Sequence, residues 1–229
     1  MEAIILAGGF GTRLRHVVSD VPKPMAPVAG RPFLCWLLDR MVDQGYTHVV
    51  LATGYMHEKV EQYFHAEYHG LTIDYARELS PLGTGGAIVN AMQYCRQQRV
   101  TVLNGDTLFN IDHRWLANVA DTCGARLSLV TRHVNDAGRY GAVIVDNNGR
   151  ITAFREKDPS LGQGYINGGI YRLHRSLLDT YSVGTPFSFE QEVLQPLGET
   201  FFAFPSDAYF IDIGVPDDYA RAQTELPAL

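Results

Sequence analysis

The sequence is poor in cysteine. Of its 229 residues only three are cysteines, namely Cys35, Cys95 and Cys123, and no two of them form a C-x-x-C pair. An odd number of scattered thiols provides neither a disulfide framework nor the ligand spacing of a zinc site. We therefore expect reduced thiols, as in a cytoplasmic protein, and a fold held together by its hydrophobic core.

Long apolar runs and an excess of basic charge are also missing. The apolar stretch "FLCWLL" ends at Asp39, far short of the roughly 20 residues that a membrane-spanning helix needs. The N-terminus carries Glu2 where a signal peptide would carry basic residues. With 19 basic and 25 acidic residues, the net charge of −6 argues against nucleic acid or a membrane surface as a partner. A small phosphate ligand remains compatible, because a few local cations suffice to bind it.

Short apolar runs alternate with helical patterns from residue 3 to about residue 124. This alternation predicts βαβ units and an α/β fold, whose parallel sheet is covered by helices on both faces. After residue 124 the pattern changes to strand-like segments separated by polar turns, then short helices, a last strand and a terminal helix. No repeat or flexible linker separates the two parts. We therefore predict a single domain over residues 1–229, with halves 1–124 and 125–229.

The first predicted strand runs into the glycine-rich stretch "AGGFGTRL", which begins at Ala7. Glycines let a backbone approach a ligand closely, and successive N–H groups form a nest for anions. Arg13 adds a planar donor group that suits phosphate. A dinucleotide fingerprint would need glycine at position 14, where Leu14 stands. A Walker A loop would need glycine at position 13 and lysine at position 14, where Arg13 and Leu14 stand. The stretch therefore matches neither motif. A tight turn with a surface arginine is the structural alternative.

Prolines flank the next cation. Lys23 lies between Pro22 and Pro24, and Pro27 follows shortly after. Proline fixes its own φ and disfavours helical backbone in the residue before it. The pattern predicts a lysine on stiff, extended backbone, which suits an ammonium group that must be aimed at a ligand.

The stretches "LAGGFGTRL" and "PKPMAPV" together resemble the signature of the sugar-1-phosphate nucleotidylyltransferases. These enzymes transfer a nucleoside monophosphate from a nucleoside triphosphate (NTP) to a sugar 1-phosphate and release pyrophosphate. Further motifs follow in the family's order along nearly the whole chain: "SPLGTGGAI", "VLNGDT", "RYGAVIVD", "FREKD", "YINGGIY" and "YFIDIGVPDDY". The resemblance implies a Rossmann-like three-layer α/β/α nucleotidyltransferase fold with a mixed, mostly parallel central sheet.

The resemblance also implies that residues 1–124 form the nucleotide-binding half. Within it, Arg13 would neutralise the departing β- and γ-phosphates and Lys23 would reach the α-phosphate, so both are expected to be catalytic. The full set of expected nucleotide-binding residues is Leu6, Ala7, Gly8, Gly9, Gly11, Thr12, Arg13, Lys23, Glu78, Pro81, Gly83, Thr84, Asn104 and Gly105.

Two aspartates are the expected metal ligands. Asp106 ends the predicted strand "VTVLNGD", and Asp212 lies in the late strand "FIDIG". Each could instead be an ordinary turn or cap carboxylate. The family pattern assigns both as catalytic ligands of Mg²⁺, and a carboxylate within an apolar strand is unfavourable unless it is paired or metal-bound.

Glu78 occupies the position where the family recognises the base. Guanine presents two adjacent donors on its Watson–Crick edge, and an ionised carboxylate can accept both. Adenine, uracil and thymine each place an acceptor there that would repel the carboxylate. Glu78 therefore favours GTP, although a solvated glutamate at a strand end is the structural alternative.

The resemblance assigns residues 125–229 to the sugar phosphate. A glutamate and lysine in sequence, Glu156 and Lys157, would bind sugar hydroxyls and sugar phosphate, although alone they are more typical of a charged turn. The full expected set for this half is Gly141, Glu156, Lys157, Asn167, Gly168 and Gly169.

Within the family, the short chain, the motif "NGDT" and the run "INGGIY…FSFE…YFIDIGVP" are similar to the group that acts on D-glycero-α-D-manno-heptose 1-phosphate. The expected reaction is therefore transfer of GMP from GTP to that sugar phosphate, which gives GDP-heptose for bacterial surface polysaccharides. Alternatives are mannose 1-phosphate as acceptor, a thymidylyl- or uridylyltransferase acting on glucose 1-phosphate, and a non-catalytic sugar-nucleotide sensor. The sequence does not indicate an oligomeric state.

Overall fold

The structure is a computed structural model that describes residues 1–9, 18, 20–138, 140–155, 161–198 and 200–229. The strands over these residues are β1 (Glu2–Leu6), β2 (Pro27–Val28), β3 (Arg31–Pro32), β4 (His48–Thr53), β5 (Glu67–Tyr68), β6 (Leu71–Arg77), β7 (Arg99–Asn104), β8 (Thr107–Phe109), β9 (Leu127–Val134), β10 (Ala142–Val145), β11 (Ile151–Arg155), β12 (Gly164–His174), β13 (Phe201–Pro205) and β14 (Phe210–Asp212). The α-helices are α1 (Phe33–Asp43), α2 (His57–Phe64), α3 (Gly83–Met92), α4 (His113–Thr122) and α5 (Pro216–Glu225). Short 3-10 turns lie at Lys23–Met25, Arg175–Leu178 and Leu226–Ala228, and a π-helical turn lies at Glu190–Leu194.

The central sheet has the strand order β11-β10-β12-β7-β1-β4-β6-β5. Its middle strands β7, β1, β4 and β6 are parallel, and β12 joins them antiparallel to β7. The predicted mixed sheet with a parallel core is confirmed. The strands of residues 125–229 extend the sheet begun by residues 1–124, because β12 also pairs with β9, and β13 pairs with β9 in turn.

Helices cover both faces of this sheet, as the apolar strands require. Along β1 the buried side chains alternate: Ala3 and Ile5 pack into one hydrophobic cluster, and Ile4 packs into the other. Helices α1, α2, α4 and α5 contribute to the first cluster and α3 to the second. The predicted three-layer arrangement is therefore confirmed.

The four parallel strands all end at the same edge of the sheet. The residues after them are Ala7 beyond β1, Gly54 beyond β4, Glu78 beyond β6 and Gly105 beyond β7. Ligands in open α/β sheets bind at this carboxyl edge. The fold thus brings the start of the glycine-rich stretch (residues 7–9), Glu78 and the "NGD" motif to one place.

One local expectation was wrong. Lys23 does not sit on extended backbone but begins the 3-10 turn Lys23–Met25, while Pro22 before it is extended (φ −65°, ψ 152°). The steric restriction from Pro24 was outweighed at Lys23 by the burial and charge pairing of its side chain.

Over the described residues, no helix is both long and apolar enough to cross a membrane.

Candidate active site

A cavity of about 630 Å³ opens at the carboxyl edge of the sheet. The ends of all four parallel strands contribute to its walls, and so do the first turn of α3 and the 3-10 turn at Lys23. The predicted residues that line it are Leu6, Gly8, Gly9, Lys23, Glu78, Pro81, Gly83, Thr84, Asn104 and Asp106. The structure therefore gathers most of the predicted nucleotide-binding set around one space.

Glu78 holds its carboxylate inside this cavity. One oxygen, Oε2, accepts a hydrogen bond of 2.9 Å from the backbone N–H of Leu82. The other, Oε1, lies so close to Gly8 that a Cβ built there would be 2.7 Å away. Burial raises the pKa of the Glu78 carboxyl, and the single backbone hydrogen bond from Leu82 only partly opposes it. Among the described residues, the Glu78 carboxylate therefore has one hydrogen-bond donor and can accept more. Glycine at position 8 leaves space for Oε1, which a side chain there would contact.

Lys23 lies between the two predicted metal ligands. Its ammonium group pairs closely with Oδ2 of Asp106 and lies 3.8 Å from Oδ1 of Asp212. The lysine side chain is only 10% exposed, and those of the two aspartates are 30% and 14% exposed. Among the described residues, the positive charge of Lys23 therefore meets the negative charges of Asp106 and Asp212 with little solvent around them.

A small two-stranded sheet explains how aspartates so far apart in sequence meet. β14 pairs antiparallel with β8, which places Asp212 opposite Thr107 and next to Asp106. The backbone N–H of Ile213 donates to the carbonyl of Asp106 at 3.0 Å, and that of Gly214 donates to Oδ1 of Asp212 at 2.7 Å. Backbone pairing, and not side-chain charge alone, holds the two carboxylates together.

Two glycines make this packing sterically feasible. A Cβ on Gly214 would lie 2.0 Å from Nζ of Lys23, so a larger residue would displace the ammonium group. A Cβ on Gly105 would lie 2.5 Å from the carbonyl oxygen of Leu6, to which Gly105 donates its own N–H at 2.9 Å. Neither contact was foreseen from the sequence, since each depends on a neighbour distant along the chain.

The predicted sugar-phosphate residues of β12 lie beside the cavity. Gly169 has φ +72°, and a Cβ there would lie 2.8 Å from the side-chain nitrogen of Asn104. Asn167 accepts from the N–H of Gly169 at 3.0 Å, and its own N–H donates to the carbonyl of Gly141 at 3.1 Å. Among the described residues that line the cavity, however, Gly141, Asn167, Gly168 and Gly169 are absent. They adjoin the site through Asn104.

Several predicted residues cannot be placed. Gly11, Thr12 and Arg13 of the glycine-rich stretch lie outside the described residues, and so do Glu156 and Lys157 of the sugar-phosphate set. Their expected roles stay predictions.

The cavity also has walls that sequence reasoning missed. Tyr55, His57 and Glu190 line it, although none was assigned a role from sequence. His57 is oriented by Glu61, whose Oε1 lies 3.1 Å from its Nδ1. The one signal for Glu190 was its place in the stretch "FSFE", which carried no chemistry by itself. It reaches the site only because residues 187–190 pack against α3.

Comparison with known proteins agrees with this geometry. A model of the nucleotidyl transferase family matches residues 2–228. The chain belongs to this family.

Relatives within the nucleotidyl transferases are similar over their full length. The chain is 46% identical to a D-glycero-α-D-manno-heptose 1-phosphate guanylyltransferase of Aneurinibacillus thermoaerophilus, over 99% of this chain and 98% of that protein. It is 43% identical to a protein of the same description from Campylobacter jejuni, over 96% and 97%. The crystal structure of HddC from Yersinia pseudotuberculosis superposes with a TM-score of 0.88 at 36% identity, covering 98% of both chains. The same protein has also been crystallised with GMP-PN.

The donor set of this nucleotidyl transferase fits a hard divalent cation. Among the described residues no group of three or more His, Cys, Asp or Glu side chains could hold a metal. Two carboxylates nevertheless suffice for Mg²⁺, which is usually bound through one or two carboxylates with water and substrate phosphates. Asp106 and Asp212, brought together at Lys23, are such a pair.

Proposed function

We propose that this protein transfers GMP from GTP to D-glycero-α-D-manno-heptose 1-phosphate and releases pyrophosphate. The observation that carries the proposal is the position of Glu78, a half-buried carboxylate in the same cavity as Lys23 and Asp106. A cavity with an anionic acceptor at one wall and a cation at another fits a guanine base and its phosphates. The full-length relatives described as heptose 1-phosphate guanylyltransferases support the choice of acceptor.

The base would be read by Glu78. Its Oε1 has no hydrogen-bond donor among the described residues, and Oε2 is held in place by Leu82. Two adjacent N–H donors of guanine would complete the hydrogen bonding of the carboxylate, whereas the acceptor of another base would meet a buried negative charge. This difference gives the site its preference for GTP.

The reaction needs no protein nucleophile. An oxygen of the sugar phosphate attacks the α-phosphorus of GTP, a new P–O–P linkage forms, and the bond to the β-phosphate breaks to release pyrophosphate. Two anions must approach each other, so positioning and charge neutralisation carry the catalysis. Lys23 would supply positive charge to the α-phosphate, and Arg13 to the departing phosphates. Glu156 and Lys157 would bind the sugar phosphate.

The proposed cofactor is Mg²⁺, held by Asp106 and Asp212. When bound, it supplies charge neutralisation for the phosphates. In this structure Lys23 pairs with both carboxylates. We propose that Lys23 leaves them for the nucleotide phosphates when the cation is held there.

A panel assay tests the function. Pyrophosphate release is measured with ATP, GTP, UTP and dTTP, each combined with heptose, mannose and glucose 1-phosphates, with and without Mg²⁺. The proposal expects the highest kcat/KM for GTP with heptose 1-phosphate and no release without a divalent cation. Preference for dTTP or UTP would contradict the role of Glu78. Equal rates with mannose and heptose would remove the acceptor assignment, and no release with any pair would indicate a sugar-nucleotide sensor.

A further inference from the structure

Glu190 lies in the cavity wall without a role in the reaction described so far. It begins the π-helical turn Glu190–Leu194, and its half-buried side chain lines the cavity. Its Oε2 accepts hydrogen bonds from the hydroxyl groups of Thr84 at 2.6 Å and Ser188 at 3.1 Å. Over the described residues it forms no ion pair. A carboxylate without a cation partner thus faces the space where substrates bind.

The hydroxyl proton of Thr84 makes Oε2 of Glu190 a hydrogen-bond acceptor. The Thr84 hydroxyl accepts from the backbone N–H of Phe189 at 2.9 Å, so its single proton is the one directed at Glu190. Oε2 of Glu190 is therefore an acceptor. An ionised carboxylate has capacity for about four hydrogen bonds, and Oε1 has no donor among the described residues. The site offers an acceptor that a ligand can use.

The segment that carries Glu190 is held firmly against α3. The backbone N–H of Gly85 donates to the carbonyl of Phe187 at 3.0 Å, and the N–H of Phe187 donates to the carbonyl of Leu82 at 2.9 Å. Phe187 also packs so tightly that a Cβ on Gly85 would lie 2.1 Å from its ring. Such support holds the Glu190 carboxylate in a fixed orientation before a ligand arrives.

The chemistry of the acceptor excludes some ligand groups. Over the part of the chain that the structure describes, no cation pairs with Glu190, and a carboxylate without a cation repels phosphate. We therefore exclude the triphosphate and the sugar phosphate group as its ligands. Neutral donors such as hydroxyl groups are what it can bind. Both substrates carry hydroxyls, on the ribose of GTP and on the acceptor sugar, so position must decide between them.

Thr84, which donates to Glu190, belongs to the expected nucleotide-binding set, but the other surroundings of Glu190 favour the acceptor sugar. Phe189 contacts the ring of Tyr171 edge-on, with centroids 5.3 Å apart. The Tyr171 hydroxyl accepts from the side-chain amide of Asn167 at 2.7 Å, and Asn167 belongs to the set expected to bind the sugar phosphate. Burial raises the pKa of Tyr171, and the charges of Glu190 and Asp106 add to the rise, so Tyr171 lies near both. Glu78, the proposed reader of the base, is bound at Leu82 instead.

We infer that Glu190 accepts a hydrogen bond from a hydroxyl group of the acceptor sugar and is a specificity-determining residue of the sugar subsite. This inference rests on the proposed function, because it assigns an acceptor sugar to the same cavity.

The experiment compares Glu190→Gln with Glu192→Gln, a matched change at an exposed position of the same π-helical turn. KM values are measured for GTP and for D-glycero-α-D-manno-heptose 1-phosphate, together with the 2-, 3-, 4- and 6-deoxy analogues of the latter. We expect E190Q to raise the KM of the sugar phosphate about tenfold, the loss of one charge-assisted hydrogen bond, and to leave the KM of GTP within twofold. E192Q should leave both unchanged.

The deoxy series separates recognition from a merely structural effect. The wild-type protein should discriminate against the analogue that lacks the hydroxyl bound by Glu190, and E190Q should lose that discrimination alone. A rise confined to the KM of GTP, or unchanged discrimination against every analogue, would overturn the inference. Should E190Q unfold, seen as a lowered melting temperature, Glu190→Asp replaces it, and the same loss of discrimination is expected.

Failure of the proposed function gives a different result. In that case the wild-type protein releases no pyrophosphate from GTP with any sugar phosphate. Calorimetric titration of the wild-type protein and E190Q with D-glycero-α-D-manno-heptose 1-phosphate then tests Glu190 by itself. Binding that weakens about tenfold in E190Q supports the inference without turnover, and equal binding, or none to the wild-type protein, rejects it.

Discussion

Two glutamates at opposite edges of the sheet, buried Glu2 and half-buried Glu78, have opposite environments. Glu2 lies at the amino edge, where Oε2 accepts from the backbone N–H groups of Arg96 and Gln97 at 2.9 and 2.6 Å, and Oε1 lies 3.1 Å from Nδ1 of His48. Burial by itself would raise the pKa of Glu2, but the hydrogen bonds from Gln97, His48 and Arg96 outweigh it and lower the pKa. Glu78 at the carboxyl edge has one backbone donor, and burial raises its pKa.

The comparison separates a structural carboxylate from a binding one. Glu2 has all the donors it needs from the protein, so its charge stabilises the fold. Glu78 has one hydrogen-bond donor among the described residues, so its charge is unfavourable until further donors arrive, and we propose that the guanine base supplies them. Both residues are glutamates, Glu2 buried and Glu78 half-buried. What differs is whether the protein or the substrate completes the hydrogen bonding.

The largest expected effect is at the aspartate pair. Asp212→Asn removes one of the two proposed metal ligands, so we expect kcat to fall by about 10³-fold while the melting temperature stays close to that of the wild-type protein. Pyrophosphate release and thermal unfolding measure the two. Asp207→Asn, at a side chain 97% exposed, is the matched control and should leave turnover intact. Retained activity in D212N would rule out its role as ligand.

Glu78→Gln tests the glutamate that we propose binds the base. The glutamine amide points a donor at one of the two guanine donors, so kcat/KM for GTP should fall about 10- to 100-fold. The readout is the fall in kcat/KM for GTP relative to kcat/KM for dTTP and UTP, measured by pyrophosphate release. Unchanged discrimination among the nucleotides would show that Glu78 does not read the base. In the wild-type protein, GTP binding should weaken as the pH falls through the raised pKa of Glu78, at a higher pH than for an ordinary glutamate.

Glu2→Gln tests the glutamate whose charge stabilises the fold. We expect the free energy of unfolding at pH 7 to fall by about 1–3 kcal/mol, with kcat/KM unchanged, as measured by denaturant titration and pyrophosphate release. The folded pKa of Glu2 is lowered, so its stabilisation is present above the unfolded pKa of about 4.3 and is lost as the pH falls through the folded value. The difference between E2Q and the wild-type protein should therefore disappear in acid. E78Q should not lower the free energy of unfolding at neutral pH, because burial makes the ionised form of Glu78 unfavourable and so raises its pKa. A loss of stability in E78Q equal to that in E2Q would contradict the distinction between a structural and a binding carboxylate.

The smallest expected effect is a change in metal affinity at Lys23. Its ammonium group occupies the space between Asp106 and Asp212, so Lys23→Met should raise the affinity of the nucleotide-free protein for Mn²⁺ several-fold, while turnover falls. Electron paramagnetic resonance of bound Mn²⁺ measures the affinity without activity. Lys59→Met, at an exposed side chain on α2, is the control. Weaker or unchanged Mn²⁺ binding in K23M would show that the lysine does not compete for this position.

Local patterns predicted the parts of this protein that depend on neighbours along the chain. The apolar runs that became β1, β4 and β7 and the amphipathic helices between them follow from periodicity, and the parallel core follows from their alternation. Placement of Gly8, Glu78 and Asp106 at one edge also follows, since parallel strands end on the same side. The extended backbone expected at Lys23 failed because a local steric rule was outweighed by distant charges.

Tertiary structure decided which distant residues meet. Antiparallel pairing of β14 with β8 brings Asp212 to Asp106, and packing of residues 187–190 on α3 brings Glu190 to Thr84. The opposite pKa shifts of Glu2 and Glu78 depend on donor supply: Glu2 receives hydrogen bonds from Arg96, Gln97 and His48, all distant in sequence, whereas the backbone donor to Glu78 is Leu82, four residues along the chain. The sequence alone determined the fold class and the family because both are written in local periodicity and motif order. The protonation behaviour of each carboxylate depends on how many donors folding delivers to it, and only the packed structure sets that number.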